Sequence, residues 1–390
     1  MVPKSLVSKR VSEIPTSAIH EMTRLSQHYQ NVAFLSWAKP TTDTPDHIKA
    51  GAVEAIQKGL VGGYSPTAGL PALREAIVEK LRRDNAVEAT SNEIMVTVGA
   101  IEGLSAALLA SVDPGEEVIL PSPTYSTHIR QVQMCSGKPV LVPTIEEEGF
   151  RLDLEGIEKA ITSKTKALLY CSPSNPTGTV FSERELRTLA DLALSHNLVI
   201  ITDEAYEYFT FDGAKHFSVA SLADAREHVI SCYTFTKTYA MTGYRVGYLH
   251  APASLVPEIT KSHIPLAICA PMVSQYAALT ALKGEQTCVE EFRRHYLDAR
   301  DRMCQRLDEL PAYLTYSKPQ GSYLMFPKLE RPQDQDSLKF STDLLREVQV
   351  STTPGVAFGP TGEGHIRLSF CVPLKTIDKA FDRMQDFFTR

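Results

Sequence analysis

Short apolar runs alternate with amphipathic helical patterns through the middle of the chain. Six runs are apolar at most positions, which is typical of central strands covered by helices on both faces. They lie at residues 93–98, 117–121, 166–171, 198–203, 229–235 and 245–251. Two helices are also indicated: residues 71–85 begin with a proline, and residues 182–197 begin with a capping box of Ser182 and Glu185. The alternation of strands and helices predicts an α/β sheet domain.

The pattern changes after Gly284. A long helix is predicted at residues 292–310, strands at 312–316, 321–326 and 364–372, and a final helix at 374–389. Residues 346–365 are rich in Gly, Pro and Thr and are predicted to form a loop. We therefore expect an N-terminal arm with part of a small domain (1–45), a large domain (46–285) and a small C-terminal α+β domain (286–390).

The composition excludes several classes of protein. The chain has 390 residues, 43% apolar and 22% charged, and its 40 basic and 46 acidic residues give a formal net charge of −6. It therefore lacks the basic field of a general nucleic-acid binder. No apolar run approaches the roughly 18 residues of a membrane span, and no secretory signal is recognisable. Seven cysteines without CxxC spacing indicate neither a disulfide framework nor a metal site. We expect a soluble, cytoplasmic protein.

Two charged residues follow apolar strands. Lys237 comes after the run at 229–235 and is flanked by hydroxyl-bearing threonines, with Arg245 further along. A lysine beside an apolar strand can lose its hydration and become neutral and nucleophilic, and hydroxyls with a guanidinium can hold a phosphate. Asp203 ends another run, at the sheet edge where ligands of open α/β sheets bind. Taken alone, Lys237 could equally be a surface lysine and Asp203 a helix cap.

Two further segments with candidate functional residues also follow strands. SPSNPTG (172–178) is a turn-forming segment directly after a strand, and VTVGAIEGL (96–104) passes from a strand through Gly99 into a helix. The free N–H groups at the start of such a helix suit an anion. The chain has no GxGxxG or GxxxxGK[ST] motif in a strand–helix context, so the common nucleotide-binding loops are not indicated.

In their order along the chain, these segments resemble the class I and II aminotransferases, pyridoxal-5′-phosphate enzymes of fold type I. The resemblance runs from IPTSAIHEM to GEGHIRLSF, and its most specific motifs are SPSNPTG and TKTYAMTGYRVGY. It implies a large, mostly parallel sheet domain covered by helices and a smaller α+β domain. It also implies pyridoxal 5′-phosphate as the cofactor and a homodimer with shared active sites.

The resemblance implies a role for each residue of the site. Lys237 corresponds to the lysine that forms the internal aldimine and moves the α-proton. The cofactor-binding positions are Ala100, Ile101, Tyr125, Asn175, Asp203, Tyr206, Thr234, Thr236, Arg245 and Tyr64 of the partner subunit. The substrate-binding positions are Arg367, Asn175, Ala38 and Ile14.

Within this set the resemblance distinguishes several contacts. Asp203 corresponds to the aspartate that pairs with the protonated pyridine nitrogen, and Tyr125 to the aromatic ring stacked on the cofactor. Asn175 and Tyr206 correspond to the two donors to its phenolic oxygen. Arg367 corresponds to the arginine that binds the substrate α-carboxylate bidentately.

The substrate entrance departs from the family pattern. Residues 38–42 read AKPTT where many relatives carry GEPDF. We expect Ile14, Ser17 and Trp37 to line the substrate pocket, and the mostly apolar segment 263–275 to approach it from the partner subunit. This favours an apolar substrate side chain, although a wide pocket for several amino acids is an equal alternative. An acidic side chain bound by Lys39 or His128 would contradict the apolar hypothesis.

The resemblance predicts an aminotransferase that passes the α-amino group of an L-amino acid to a 2-oxo acid, by default 2-oxoglutarate. A lyase, cyclase or oxidase that uses the same cofactor on the same fold is the first alternative. A transcriptional regulator with an aminotransferase-like domain is a second. It would need a helix-turn-helix segment before residue 40, and no basic three-helix pattern is present there.

Overall fold

The N-terminal segment is paired with the C-terminal part of the chain. The computed structural model describes residues 6–389. Its first elements are α1 (Lys9–Ser12), α2 (Ala18–Ser26) and strand β1 (Ala33–Phe34). β1 pairs in parallel with a strand at Val350–Ser351, so two strands far apart in the sequence form a small sheet.

A seven-stranded sheet organises the middle of the chain. Its strands are β2 (Ile94–Thr97), β3 (Glu117–Ser122), β4 (Lys138–Pro143), β5 (Thr165–Cys171), β6 (Val199–Asp203), β7 (Val229–Thr234) and β8 (Gly247–His250). Their order is β2-β8-β7-β6-β5-β3-β4. The strands β3 to β7 are parallel, and β8 is antiparallel to both of its neighbours. The predicted α/β fold with a mostly parallel sheet is confirmed.

Strand β4 was not predicted from the sequence. Its sequence, KPVLVP, contains Pro139 and Pro143, which argue against a central strand. In the structure β4 is the edge strand of the sheet, bonded only to β3. A residue without an N–H can occupy an edge because no second neighbour needs its hydrogen bond.

Helices cover both faces of this sheet. They are α3 (Asp46–Gln57), α4 (Pro71–Asn85), α5 (Gly99–Ser111), α6 (Ser126–Met134), α7 (Leu154–Ala160), α8 (Glu183–Ser195), α9 (Phe235–Thr238), α10 (Val256–Ala267) and α11 (Met272–Lys283). One apolar cluster joins the sheet to α3, α4, α8 and α11, and another joins the opposite face to α5 and α10. The predicted capping box of α8 is confirmed: the Ser182 N–H donates to Glu185 Oε2 at 2.8 Å, and the Glu185 N–H donates to Ser182 Oγ at 3.3 Å.

The C-terminal part has short strands between long helices. Its elements are α12 (Thr287–Asp308), β9 (Leu314–Thr315), β10 (Leu324–Met325), β11 (Lys328–Leu329), α13 (Ser337–Val348), β12 (Val350–Ser351), β13 (Thr353–Pro354), β14 (Ile366–Ser369) and α14 (Leu374–Thr389). The strands are shorter than predicted, and α12 begins five residues earlier. The predicted loop at 346–365 was wrong in its first part, which contains the end of α13 and the strands β12 and β13.

A separate apolar cluster joins β1 to α12, α13 and α14. The predicted domain boundaries near residues 45 and 285 stay predictions. Within residues 6–389, no helix combines the length and the apolar character needed to cross a membrane.

Candidate active site

Several central strands end at one cavity of about 200 Å³. Asp203 is the last residue of β6 and Thr234 the last residue of β7, so the carboxyl edge of the parallel sheet forms its floor. The lining residues are Ala38, Ala100, Ile101, Tyr125, Asn175, Asp203, Ala205, Tyr206, Thr234, Thr236, Lys237, Thr242 and Arg245. Apart from Tyr64, every predicted cofactor position is among them.

Lys237 enters the cavity from α9, a single helical turn that follows β7. The turn begins where Thr234 Oγ1 accepts the N–H of Thr236 at 3.2 Å. Lys237 Nζ donates to the carbonyl oxygen of Ala38 at 2.7 Å and lies 5.6 Å from the centre of the Tyr206 ring. Burial lowers the pKa of Lys237 to about 8, because an ammonium is costly to remove from water. Near pH 8 about half of this amine is therefore neutral.

A buried histidine orients Asp203. His128 Nε2 lies 3.0 Å from Asp203 Oδ2, and Asp203 Oδ1 accepts the N–H of Ala205 at 3.2 Å. His128 Nδ1 lies 3.4 Å from Thr124 Oγ1, so both ring nitrogens have a neighbour. His128 is fully buried and is not among the lining residues, so it does not face a substrate side chain. His128 lies in the first turn of α6, three residues after Tyr125. This short distance from a predicted cofactor residue could have indicated a place in the site.

The start of α5 and Arg245 form a site for an anion. Gly99 has φ = 74°, and a Cβ there would lie 2.8 Å from Arg245 Nη2, so the guanidinium packs directly on the first residue of the helix. Arg245 Nη1 donates to the carbonyl oxygen of Thr242 at 3.0 Å. Within residues 6–389 Arg245 has no acidic partner. Free N–H groups at a helix start beside an uncompensated guanidinium suit a phosphate.

Arg367 lies directly behind Asn175 and does not itself line the cavity. Its Nη1 donates to Asn175 Oδ1 at 3.1 Å, and its Nη2 donates to the carbonyl oxygen of Ser36 at 2.7 Å and to Thr353 Oγ1 at 3.2 Å. Its Nε is buried without a partner, and no acidic group pairs with it in the described part of the chain. Burial lowers the pKa of the guanidinium. A buried cation without an anion is suited to a carboxylate ligand.

Several residues predicted to line the substrate pocket lie elsewhere. Ile14 lines a different cavity, of about 420 Å³, beneath α1, and Ser17 caps α2. Trp37 stacks on Phe34 with ring centres 4.5 Å apart and, together with Lys39, lines an open cavity of about 590 Å³. Ala38 lines the active-site cavity, whereas its neighbours Trp37 and Lys39 line the separate open cavity. The structure therefore does not bring Ile14, Ser17 or Trp37 to the site.

The residues assigned to subunit contacts lie on the surface of the chain. Tyr64 is 80% exposed. In the segment 263–275, Ile264, Leu266 and Ile268 are each about half exposed, although large apolar side chains are usually buried. Their contact with a second subunit stays a prediction.

Comparison with known proteins identifies the family. The family model "Aminotransferase class I and II" matches residues 31–384. An aspartate aminotransferase of Pyrococcus abyssi is 40% identical, and aromatic-amino-acid aminotransferase 2 of Thermococcus litoralis is 39% identical, each match covering 97% of both chains. A solved structure of an aromatic aminotransferase from Pyrococcus horikoshii OT3 is 40% identical, with a TM-score of 0.89 over 94% of this chain and 98% of that one. The chain belongs to the class I and II aminotransferases.

Members of this family are pyridoxal-5′-phosphate-dependent enzymes of fold type I, and this chain is such an aminotransferase. The cavity fits the cofactor on independent grounds. It combines a partly buried lysine with a lowered pKa, a carboxylate at the sheet edge, and the anion site at Gly99 and Arg245. An aldehyde, a pyridine nitrogen and a phosphate are the groups that these three features suit.

Proposed function

We propose that this aminotransferase transfers the amino group of an apolar or aromatic L-amino acid to 2-oxoglutarate. The apolar part of the cavity lining supports the amino-donor class: it consists of Ile101, which is 44% exposed, Ala38 and Ala205. Lys237 and Arg245 are the only cationic side chains among the described lining residues. The names of the relatives, one aspartate and one aromatic, do not decide between acidic and aromatic donors.

The observation that carries the residue assignment is the position of the Lys237 amine, whose pKa is lowered to about 8, in the cavity at the carboxyl edge of the sheet. When bound, the cofactor supplies an aldehyde that captures amines and a pyridine ring that withdraws electrons from the substrate Cα. Lys237 would hold that aldehyde and, once the amino group of the substrate has displaced it, its free amine would take the proton from the substrate Cα. Asp203, held by His128, keeps the pyridine nitrogen protonated. Arg245 and the start of α5 bind the phosphate.

Arg367 and Asn175 bind the substrate α-carboxylate. The partnerless Nε and the absence of an acidic neighbour leave the guanidinium with hydrogen-bonding capacity for an added anion. A carboxylate fixed at this point orients the Cα–H bond toward the amine of Lys237, which raises the rate by positioning. Ala38 also lines the cavity, and its carbonyl oxygen accepts from Lys237 Nζ.

The test is a panel of half-reactions followed by absorbance. Protein reconstituted with pyridoxal 5′-phosphate and free of 2-oxo acids is mixed with each of the common amino acids. We expect apolar and aromatic amino acids to convert the aldehyde form of the cofactor to the amine form fastest, and 2-oxoglutarate to restore it. Fastest conversion by aspartate and glutamate would contradict the proposed donor class. Release of ammonia without the amine form would indicate the lyase alternative.

The proposal includes a cytoplasmic homodimer in which Tyr64 of the partner subunit reaches the phosphate. The 80% exposure of Tyr64 and the exposed apolar side chains of segment 263–275 support it, because a second copy would cover both.

Hybrid dimers test the shared site. Tyr64→Ala and Lys237→Ala variants are each assayed at limiting cofactor, then mixed and allowed to exchange subunits. Each hybrid has one site with both Tyr64 and Lys237, so remixing is expected to raise activity well above the average of the separate variants. Activity equal to that average, with exchange confirmed by mass-tagged subunits, would contradict the shared site.

A further inference from the structure

A buried threonine hydroxyl joins Arg367 to a distant backbone carbonyl. Thr353 Oγ1 donates to the carbonyl oxygen of Ser36 at 3.1 Å and accepts from Arg367 Nη2 at 3.2 Å. Arg367 Nη2 also donates to that carbonyl oxygen at 2.7 Å, which closes a triangle of three hydrogen bonds. Thr353 is fully buried and does not line the active-site cavity.

Backbone pairing holds all three members of the triangle in register. Thr353 lies directly opposite Arg367 in the antiparallel pair of β13 and β14. The segment that carries Ser36 is bonded on both sides, because the Leu35 N–H donates to the carbonyl oxygen of Ser351 at 2.9 Å and the Leu35 carbonyl oxygen accepts from the Ser369 N–H at 2.7 Å. The Thr353 hydroxyl therefore donates to the Ser36 carbonyl oxygen, which backbone pairing holds in place, and accepts from the end of the long Arg367 side chain.

We propose that Thr353 is a positioning residue that fixes the plane of the Arg367 guanidinium for binding of the substrate α-carboxylate. This inference rests on the proposed role of Arg367. The described part of the chain gives Arg367 no acidic partner, so only neutral acceptors orient it: Asn175 Oδ1, the Ser36 carbonyl oxygen and Thr353 Oγ1. Bidentate binding of a carboxylate requires a fixed plane, and loss of one acceptor frees the guanidinium to rotate.

The expected effect is mainly on binding. Without the hydroxyl, Arg367 Nη2 keeps one of its two acceptors, so the charge remains but its orientation is less restricted. We expect the apparent Kd for an amino acid to rise roughly tenfold, which is the lower end of the effect of losing one hydrogen bond to a charged group. The maximum rate of the half-reaction should fall less than the apparent Kd rises, because the substrate is less well oriented while Lys237 and the residues around the cofactor are untouched.

The variants are Thr353→Val, which removes the hydroxyl at nearly constant shape, and Thr353→Ser, which keeps it. Thr352→Val is the matched control. Thr352 is the neighbouring residue, equally buried, and its hydroxyl donates to Ser341 Oγ at 3.0 Å instead of contacting Arg367. Thr353→Ala replaces Thr353→Val if the latter does not fold as a holoenzyme, as judged by cofactor absorbance and Tm.

The half-reaction is measured against concentration for the amino acid that ranks first in the panel and for the amine obtained by removing its carboxylate. We expect Thr353→Val to raise the apparent Kd of the amino acid alone, with Thr353→Ser and Thr352→Val close to the parent protein. Equal apparent Kd values in Thr353→Val and Thr352→Val, an equal effect on the amine, or a fall in maximum rate without a change in Kd would each overturn the proposal.

Failure of this inference differs from failure of the proposed function. If no amino acid converts the cofactor of the parent protein, the proposed function is wrong and the role of Thr353 is overturned with it. If the parent protein reacts and Thr353→Val binds the amino acid as tightly, only the positioning role is overturned.

Discussion

The two ends of the active site hold their cations in different ways. At the phosphate end, Arg245 donates to one backbone carbonyl oxygen, and Lys237 likewise has one carbonyl acceptor. At the carboxylate end, Arg367 contacts acceptors from three separate segments, at Ser36, Asn175 and Thr353. A doubly charged phosphate that stays bound can supply much of its own ordering. A substrate carboxylate that leaves in every turnover benefits from a cation that is already oriented.

The ends also differ in the chain segments that form them. Thr234, Lys237 and Arg245 come from one short stretch that begins at the end of β7. The start of α5 is added to them from elsewhere in the sequence. At the carboxylate end, the pairing of β1 with β12 and of β13 with β14 holds Ser36 and Thr353 beside Arg367, and Asn175 comes from the segment after β5. The side chains of the phosphate end are therefore mostly local in the sequence, whereas the carboxylate end depends on long-range pairing.

The largest expected effect comes from exchanging the charged group at each end. Arg367→Lys should raise the apparent Kd for amino acids about a hundredfold, because an ammonium cannot replace the planar fork of a guanidinium. Retention of the cofactor should be unchanged. Arg245→Lys should show the opposite pattern, with faster loss of the cofactor and a smaller change in the apparent Kd of the amino acid. Stopped-flow half-reactions and dialysis of the holoenzymes measure the two properties.

Each of these variants is the control for the other, since both replace an arginine by lysine within one site. Equal effects of the two substitutions on cofactor retention and on the apparent Kd of the amino acid would show that the phosphate end and the carboxylate end do not act separately.

A smaller effect is expected from pH at the Lys237 amine. Its pKa is lowered to about 8, so the neutral, nucleophilic form of the amine is lost as the pH falls below 8. About one pH unit above 8, almost all of the amine is in this neutral form. The rate at which the apoprotein binds pyridoxal 5′-phosphate should rise about tenfold per unit well below pH 8 and level off above it. Absorbance at several pH values measures this rate, with Nα-acetyl-lysine as the reference amine in the same buffers. A midpoint near 10.5, the ordinary value for lysine, would show that burial does not activate Lys237.

Much of the fold could be predicted because hydrophobic periodicity is a local property. The apolar runs indicated strands and the capping box at Ser182 indicated a helix, because in these segments neighbouring residues alone determine the secondary structure. The edge strand β4 was missed because Pro139 and Pro143 are acceptable only in a strand with one free edge. Position within a sheet is not visible in a local pattern.

The sequence by itself determined that Lys237, Asp203 and Asn175 each follow or end an apolar strand, and the family resemblance predicted that they form one site. Parallel strands bring their carboxyl ends to one edge of the sheet, which is the physical reason that the three residues meet. The tertiary structure alone decided which neighbours complete the site. It placed Trp37 and Lys39 in a different cavity from Ala38. It also placed His128 against Asp203 and Thr353 against Arg367. The contact of Thr353 with Arg367 depends on the register of β13 and β14, where a shift of one residue would turn the side chains to the opposite face. The contact of His128 with Asp203 depends on how helix α6 packs against the sheet edge. Neither arrangement is visible in a local sequence pattern.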